Sequence, residues 1–149
     1  MKFTVENPGP LTLVYVAESG AYEDRECIAA RAAAKIEDSL KAQGITGGRK
    51  FFAEMTISSG GKKNIYYVAY STIEGAFTPV KGVDVVKVGN DRFAVAKLPA
   101  GDFEQRVADA FSKEYQEWLK ANNLKQDMSK VLYLCESTAE GYVLYMPLK

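Results

Sequence analysis

The sequence predicts an α+β fold of two tandem β-α-β-β repeats, with an antiparallel sheet, two long helices and a cleft at a pseudo-two-fold seam. Two similarities within the chain support this prediction. Residues 19–25 (SGAYEDR) return as 100–106 (AGDFEQR), and residues 40–45 (LKAQGI) return as 119–124 (LKANNL). Self-similarity at a nearly fixed spacing indicates two copies of one supersecondary unit. A seam between two like halves is a natural place for a ligand.

The first repeat covers about residues 11–70. Its apolar, β-rich run at 11–17 predicts a largely buried strand, and the chain is expected to turn at 19–20. A helix is predicted over about 22–42, because apolar residues recur there every four positions on one face. These residues are Ile28, Ala32, Ile36 and Leu40.

The second repeat covers about residues 92–148, after a connector at about 71–91, and the chain is predicted to form a single domain over 1–149. A strand at 92–98 leads through a glycine-containing turn into a helix over about 103–122. The apolar stripe of this helix is formed by Val107, Phe111, Tyr115 and Trp118.

Each repeat is predicted to close with a hairpin. In the first repeat, β-rich runs at 51–57 and 64–70 flank a turn that contains two glycines. In the second repeat, the corresponding runs are 130–135 and 142–146. Pairs of such runs around a turn are typical of hairpins, and helices combined with hairpins favour a mainly antiparallel sheet covered by helices.

Composition and charge exclude several classes of function. The chain has 149 residues, of which 47% are hydrophobic, and its 19 basic and 19 acidic side chains give zero net charge. Zero charge argues against direct nucleic-acid binding and against an anionic membrane surface as partner. The absence of histidine excludes Ser-His-Asp and Cys-His mechanisms and removes the commonest zinc ligand. We therefore predict no metal and no cofactor.

The cysteines and the termini indicate the compartment. Cys27 and Cys135 have no metal-binding spacing and are interpreted as two buried thiols, with a structural disulfide as the alternative. No signal peptide is visible, and no apolar stretch approaches the ~20 residues of a membrane span. A soluble, cytoplasmic protein is expected, and the oligomeric state is not predicted.

The aromatic content is the main candidate for a binding function. Nine tyrosines, seven phenylalanines and one tryptophan occur in a chain without histidine. Tyrosine favours strands and half-buried positions, which accounts for many of them. The functional alternative is that several converge on the seam, where stacking and cation–π contacts would hold an aromatic or cationic small molecule. The predicted wall includes Tyr15, Phe52, Tyr67 and Trp118.

Two charged residues of the predicted strands, Glu54 and Lys97, are considered for a chemical role. Glu54 interrupts an apolar run, and strand alternation places it on the same face as Phe52. On a face that meets the cleft, Glu54 would be a partly buried carboxylate opposite a cationic ligand; on a solvated face it has no such role. Lys97 is interpreted as an edge charge, with a nucleophile as the alternative.

The doubled β-α-β-β order, the turn at 99–103 (PAGDF) and the ending at 145–148 (YMPL) resemble the GyrI-like effector-binding domains. These are ligand-sensing modules of AraC- and MerR-type multidrug-responsive regulators, and they also occur as free-standing proteins. The resemblance covers nearly the whole chain. It implies a hydrophobic cleft at the seam that binds bulky aromatic, often cationic, compounds. By position, it implies pocket roles for Tyr145, Tyr133, Tyr22 and Phe103.

The sequence departs from the family at two points. Multidrug-binding members, and relatives that hydrolyse cyclopropane-bearing toxins, carry a glutamate two residues before the position of Tyr133, where this chain has Val131. Glu54, in the matching strand of the first repeat, is the candidate replacement. No helix-turn-helix segment precedes the domain, so we do not expect it to regulate a promoter alone, and a separate regulatory protein stays open as a partner.

Three functions follow from these observations. The leading hypothesis is a stand-alone protein that senses or sequesters an apolar or aromatic, possibly cationic, small molecule in the inter-repeat cleft. The second is a hydrolase of reactive small molecules that uses Glu54 and a nearby tyrosine as general acid–base. The third is a protein-interaction module similar to the gyrase inhibitors of the family. Catalysis is the less favoured expectation.

Overall fold

The computed structural model describes residues 1–129 and 131–149. In chain order, the elements of these residues are β1 (Phe3–Glu6), β2 (Leu11–Ala21), α1 (Arg25–Ala42), β3 (Lys50–Ser59), β4 (Lys62–Ile73), β5 (Asp84–Val88), β6 (Phe93–Pro99), α2 (Phe103–Ala110), α3 (Lys113–Ala121), β7 (Leu134–Thr138) and β8 (Gly141–Pro147). The predicted α+β class with antiparallel strands is confirmed.

The chain forms two compact units. The 11–88 unit is Leu11–Val88, and the composite unit joins Met1–Pro10 to Gly89–Lys149. Both contain the predicted strand–helix–strand–strand order, with an additional strand in each: β5 in the first and β1 in the second. In the parts of the chain that the structure describes, no helix combines the length and apolarity needed to cross a membrane.

In the 11–88 unit the strands follow the order β3-β4-β2-β5 and pair antiparallel. Helix α1 packs on one face of these strands through the stripe predicted from the sequence, and Ile28, Ala32, Ile36 and Leu40 are all buried. The core beneath α1 combines this stripe with aliphatic residues of β2 and β4 such as Val14, Val16 and Ala69. Apolar burial on the helix face explains why the periodic pattern was a reliable guide.

The expected turn at residues 19–20 was wrong, because β2 continues through them. Ser19 pairs with Tyr66, and Gly20 pairs with Ile65. A Cβ atom on Gly20 would lie 2.8 Å from Cδ1 of Ile28 in α1. The glycine therefore allows the helix to approach the strand closely, which is a packing role that a turn signal cannot reveal.

In the composite unit the strands follow the order β1-β6-β8-β7, again antiparallel. The helix predicted over 103–122 is divided into α2 and α3, with Phe111 and Ser112 between them. Ser112 has the extended backbone of a helix N-cap residue, with φ −75° and ψ 179°. Serine is common at this position, although the Ser112 side chain makes no capping hydrogen bond, and the backbone leaves the helical conformation between Ala110 and Lys113.

The closing hairpin of the composite unit also differs from the prediction. Strand β7 begins at Leu134 rather than near residue 130, and Lys130 lies outside the described residues. Both cysteines are free, but only Cys135 is buried, whereas Cys27 is exposed. Cys27 precedes Ile28 on α1 and therefore lies off the buried stripe of that helix.

Candidate ligand-binding site

An aromatic pair lies beside α1 on the face of the 11–88 unit that the helix covers. The rings of Phe52 and Tyr67 stack almost in parallel, with centroids 5.9 Å apart and an interplanar angle of 10°. The antiparallel register places Glu54 directly opposite Tyr67. Opposed residues of paired strands project on the same side, so all three side chains share this surface, which we call the β3–β4 face.

The residues of the β3–β4 face are half-buried, while Phe51 and Ala53 on the opposite side of β3 are buried. Tyr67 packs against the core beneath α1. The structure therefore has Phe52 and Glu54 on the same face of β3, as strand alternation predicts. Flat ring surface that stays partly accessible beside a carboxylate is suited to aromatic and cationic groups.

A second carboxylate continues the row across the sheet. Glu18 of β2 lies opposite Tyr67 on the side away from Glu54. It accepts a hydrogen bond from Nζ of Lys35, and Nε of Arg31 lies 3.7 Å from its Oε2. The hydrogen bond from Lys35 lowers the pKa of Glu18, and the attraction of both α1 cations adds to this effect. Helix α1 thus supplies the countercharge of this acid.

Tyr22 lies at the start of the α1 segment, in a 3-10 turn over Tyr22–Asp24. Its ring interacts with two cations of the protein: Cζ of Arg25 is 4.7 Å from the ring centroid and Nζ of Lys63 is 3.8 Å from it. Nη1 of Arg25 also donates a hydrogen bond to the Tyr22 hydroxyl. The chain itself therefore already uses this ring for cation–π contacts.

Tyr15 lies on the opposite face of the 11–88 strands. It pairs with Tyr70, and the two ring centroids are 5.9 Å apart. Burial raises the pKa of Tyr15, with smaller contributions from the charges of Asp84 and Tyr66. Its neighbours Val14 and Val16 belong to the core beneath α1. Because side chains alternate along a strand, Tyr15 does not share a surface with Glu54.

In the composite unit, two predicted site residues belong to the helices. Phe103 begins α2 and packs edge-on against Tyr142, with centroids 5.1 Å apart. Trp118 of α3 contacts Phe3 at 5.4 Å and stacks with Tyr115 at 6.3 Å. Both side chains are half-buried, and both help to hold the helices on the strands.

The other two predicted residues of the composite unit, Tyr133 and Tyr145, are buried and lie in different environments. Tyr133 contacts Phe111, between α2 and α3, at 6.0 Å. Tyr145 pairs with Val95 and packs edge-on against Phe93. Phe3, which contacts α3, pairs with the next residue of β6, Ala96, so Tyr145 lies on the face away from the helices.

Val131, which the resemblance to the GyrI-like domains places where multidrug-binding members carry a glutamate, is only 4% exposed. It supplies an apolar surface there instead of a carboxylate. Among the described residues, no three side chains of His, Cys, Asp or Glu cluster closely enough to hold a metal ion. Glu54 is the carboxylate on the Phe52 side of the Phe52–Tyr67 stack.

Sequence reasoning missed two polar features of the composite unit. Tyr115 is fully buried, its hydroxyl has no hydrogen-bond partner among the described residues, and burial raises its pKa to about 12. Arg106 lines a cavity with Lys97, and its Nε is buried without a partner in the described part of the chain. The repeated segment contained a signal for Arg106, because Arg25 occupies the same place in the first copy.

Comparison with solved structures shows the fold. The chain is similar to SAV2435 bound to tetraphenylphosphonium, with a TM-score of 0.51 and 14% identity, covering 100% of this chain and 94% of that one. It is similar to an uncharacterized conserved protein from Listeria innocua, with a TM-score of 0.61, 9% identity and coverages of 99% and 92%. The C-terminal domain of EcmrR is similar at a TM-score of 0.60, with 11% identity and coverages of 99% and 97%.

These likenesses cover nearly all of each chain. Sequence identities of this size show a shared fold alone. No protein-family model matches the chain, and no curated protein sequence matches it.

Proposed function

We propose that this chain is a GyrI-like small-molecule-binding domain that takes an aromatic or apolar ligand, with a preference for cations, on the β3–β4 face. One observation carries the proposal: the nearly parallel Phe52–Tyr67 stack shares its surface with the carboxylate of Glu54. All three side chains are half-buried, so each keeps part of its surface accessible.

The chemistry of the β3–β4 face favours a flat or bulky aromatic cation. A ligand ring extends the existing stack, and a positive charge is attracted both by the electron-rich faces of the rings and by Glu54. Each cation–π contact contributes about 0.5–2 kcal/mol, depending on how far it is desolvated. Burial of apolar ligand surface adds ~25 cal/mol per Å² before the costs of association.

The comparison with SAV2435 supports the same ligand class. That protein has a similar fold and was solved bound to tetraphenylphosphonium, which combines phenyl rings with a positive charge. A shared fold does not transfer a ligand, so the support for this chain comes from the combination of that complex with the chemistry of Phe52, Tyr67 and Glu54.

Two ions of nearly the same shape and opposite charge test the proposal. We expect tetraphenylphosphonium to raise the melting temperature of the protein and tetraphenylborate to raise it much less. At a free ligand concentration of about ten times Kd, mass action adds about 1.4 kcal/mol to the free energy of unfolding. For a chain of this length the shift is about 3–6 °C. Equal shifts with both ions would contradict the preference for cations.

Variants then locate the site. Glu54→Gln should remove most of the difference between the two ions, whereas Phe52→Leu should weaken the binding of both, because it removes one ring of the stack. Glu37→Gln is the matched control, since Glu37 is exposed on α1 and the change in charge is identical. Retention of the full cation preference in Glu54→Gln would place the binding site elsewhere.

The opposition of Glu54 and Tyr67 favours hydrolysis as a second candidate function. The register brings a carboxylate and a phenol together on one surface, and both groups can serve in general acid–base catalysis. A hydrolase would lose turnover in Glu54→Gln and still bind a neutral substrate analogue. A pure binding domain would show no turnover in the unaltered chain.

A further inference from the structure

A cavity of about 500 Å³ lies in the composite unit, where the start of β1, the end of β6 and α2 meet. It is separate from the β3–β4 face, because every residue that lines it belongs to Met1–Pro10 or Gly89–Lys149. Its apolar wall includes Val95 and Leu98, which are buried. The charged part of its wall is unusual and determines what it can bind.

Three cationic side chains line the cavity: Lys2, Lys97 and Arg106. Phe3 pairs with Ala96, so the register continued by one residue sets Lys2 opposite Lys97. Like charges opposite each other on paired strands repel. In the described part of the chain, neither lysine has an ion-pair or hydrogen-bond partner. The cavity therefore contains two ammonium groups on the same side of the paired strands that have no direct partner among the described residues.

The guanidinium of Arg106 is held in place but is not fully satisfied. Nη2 donates a hydrogen bond to the carbonyl oxygen of Ala100 at 3.1 Å, and Nη1 lies 3.9 Å from Oδ2 of Asp109. Nε is buried and has no hydrogen-bond partner among the described residues. A Cβ atom on Gly101 would lie 2.7 Å from Nη2 and 3.0 Å from Nε, so the glycine leaves the room that the guanidinium occupies.

The balance of charge selects the class of ligand. The carboxylates of Glu6 and Asp109 also line the cavity, so three cations face two anions and one positive charge is in excess. The ammonium of Met1 is paired with Glu114 at 2.5 Å and does not alter this balance. A monoanion neutralises the excess, whereas a dianion reverses it. A carboxylate is the common monoanion whose two oxygens match the planar N–H donors of arginine.

We propose that this cavity binds a small carboxylic acid in its ionised form. The carboxylate accepts hydrogen bonds from the partly exposed guanidinium of Arg106 and is attracted by Lys2 and Lys97. The apolar part of the ligand rests on Val95, which projects on the same side of β6 as Lys97. This is a second binding site, independent of the function proposed for the β3–β4 face.

Titration of the full chain with benzoate, benzyl alcohol and phenyl phosphate, followed by amide chemical shifts, tests the assignment. We expect benzoate to bind with a Kd of about 1 mM or below and to shift the amides of Lys2, Lys97 and Arg106. Benzyl alcohol, which lacks the charge, should bind at least about tenfold more weakly. Equal binding of benzyl alcohol would overturn the proposal. Tighter binding of phenyl phosphate than of benzoate would overturn the assignment to a monoanion.

Variants separate specific contacts from a general effect of charge. Lys2→Gln and Lys97→Gln should each weaken benzoate binding about threefold, as expected for exposed cations. Arg106→Met should weaken it at least about tenfold, because it removes charge-assisted hydrogen bonds. Should Arg106→Met fail to fold, Arg106→Lys retains the charge without Nε and should also weaken binding.

Lys41→Gln is the matched control, since Lys41 is an exposed lysine of the 11–88 unit. Equal weakening by Lys41→Gln and Lys97→Gln would overturn the site. Glu54→Gln should leave benzoate binding unchanged, so a failure of the function proposed for the β3–β4 face would not affect this result.

Discussion

Arg25 in the 11–88 unit and Arg106 in the composite unit hold the same place in the repeated segment, but their side chains find different partners. Arg25 donates to the hydroxyl of Tyr22, three residues earlier. The residue at that place in the second copy is Phe103, which has no hydroxyl, and Arg106 instead donates to the carbonyl of Ala100 and keeps a buried, unpaired Nε. The presence of the tyrosine hydroxyl thus accompanies an arginine that is hydrogen-bonded within its own segment in the 11–88 unit. Its absence accompanies an arginine in the composite unit whose Nε has no hydrogen-bond partner among the described residues.

The same contrast extends to the cores beneath the helices. The core under α1 is formed by aliphatic side chains and Phe77. The helices of the composite unit pack through aromatic rings, and Tyr115 brings an unpaired hydroxyl into that packing. Buried polar atoms without partners are few in native proteins and require an explanation. The two such atoms found among the described residues both belong to the composite unit, which is also the unit that contains the cationic cavity.

The hairpin turns give the largest expected difference between the units. Gly141 has φ +149°, and a Cβ atom there would lie 2.1 Å from the carbonyl oxygen of Leu98. We expect Gly141→Ala to destabilise the protein by about 3 kcal/mol, because backbone atoms must move. In the other hairpin, the new Cβ atom of Gly61→Ala would lie in open space. The substitution should therefore cost only the backbone strain of a φ of +75°, about 1 kcal/mol. Denaturant unfolding of both variants measures the difference, and equal losses would show that the Leu98 contact relaxes.

Removal of the unpaired hydroxyl should stabilise the composite core. Tyr115→Phe keeps the ring and its contacts with Phe3 and Trp118 but deletes a buried hydroxyl that has no partner in the described part of the chain. Since such an atom carries an uncompensated desolvation penalty, we expect the free energy of unfolding to rise by about 1 kcal/mol. Chemical denaturation followed by tryptophan fluorescence of Trp118 measures it. A loss of stability would mean that the hydroxyl has a partner, for example a bound water.

The elements that sequence reasoning found best are those with long, unambiguous periodicity. The apolar stripe from Ile28 to Leu40 predicted α1 correctly, because burial of one helix face requires apolar residues at every third or fourth position. The same kind of stripe hid the break at Ser112, because Phe111 and Tyr115 stay in phase across it. The prediction of a turn at Gly20 was wrong because this glycine leaves room for the Ile28 side chain of α1. Such a contact between two elements is not visible in the local sequence.

The candidate site was harder to predict than the fold. Alternation within β3 put Phe52 and Glu54 on one face, but the addition of Tyr67 required the β3–β4 register. The opposite orientation of Tyr15 follows from the β2–β4 register, and single-sequence patterns do not specify the register between strands that are far apart in the sequence. The cleft at the seam, which the sequence and the resemblance both suggested, stays a prediction.

The smallest expected effect is also the most direct test of the comparison between the two arginines. Phe103→Tyr places a hydroxyl where Tyr22 has one, so we expect Arg106 to gain a hydrogen bond. The free energy of unfolding should rise by about 0.5 kcal/mol. Tyr22→Phe should cost a similar or slightly larger amount, because it leaves Arg25 without its acceptor. Because the proposed cavity site uses the guanidinium of Arg106, Phe103→Tyr should also weaken benzoate binding severalfold, since the new hydroxyl competes for that guanidinium. Unchanged stability in both variants would mean that the hydroxyl at this place does not decide how the arginine is held.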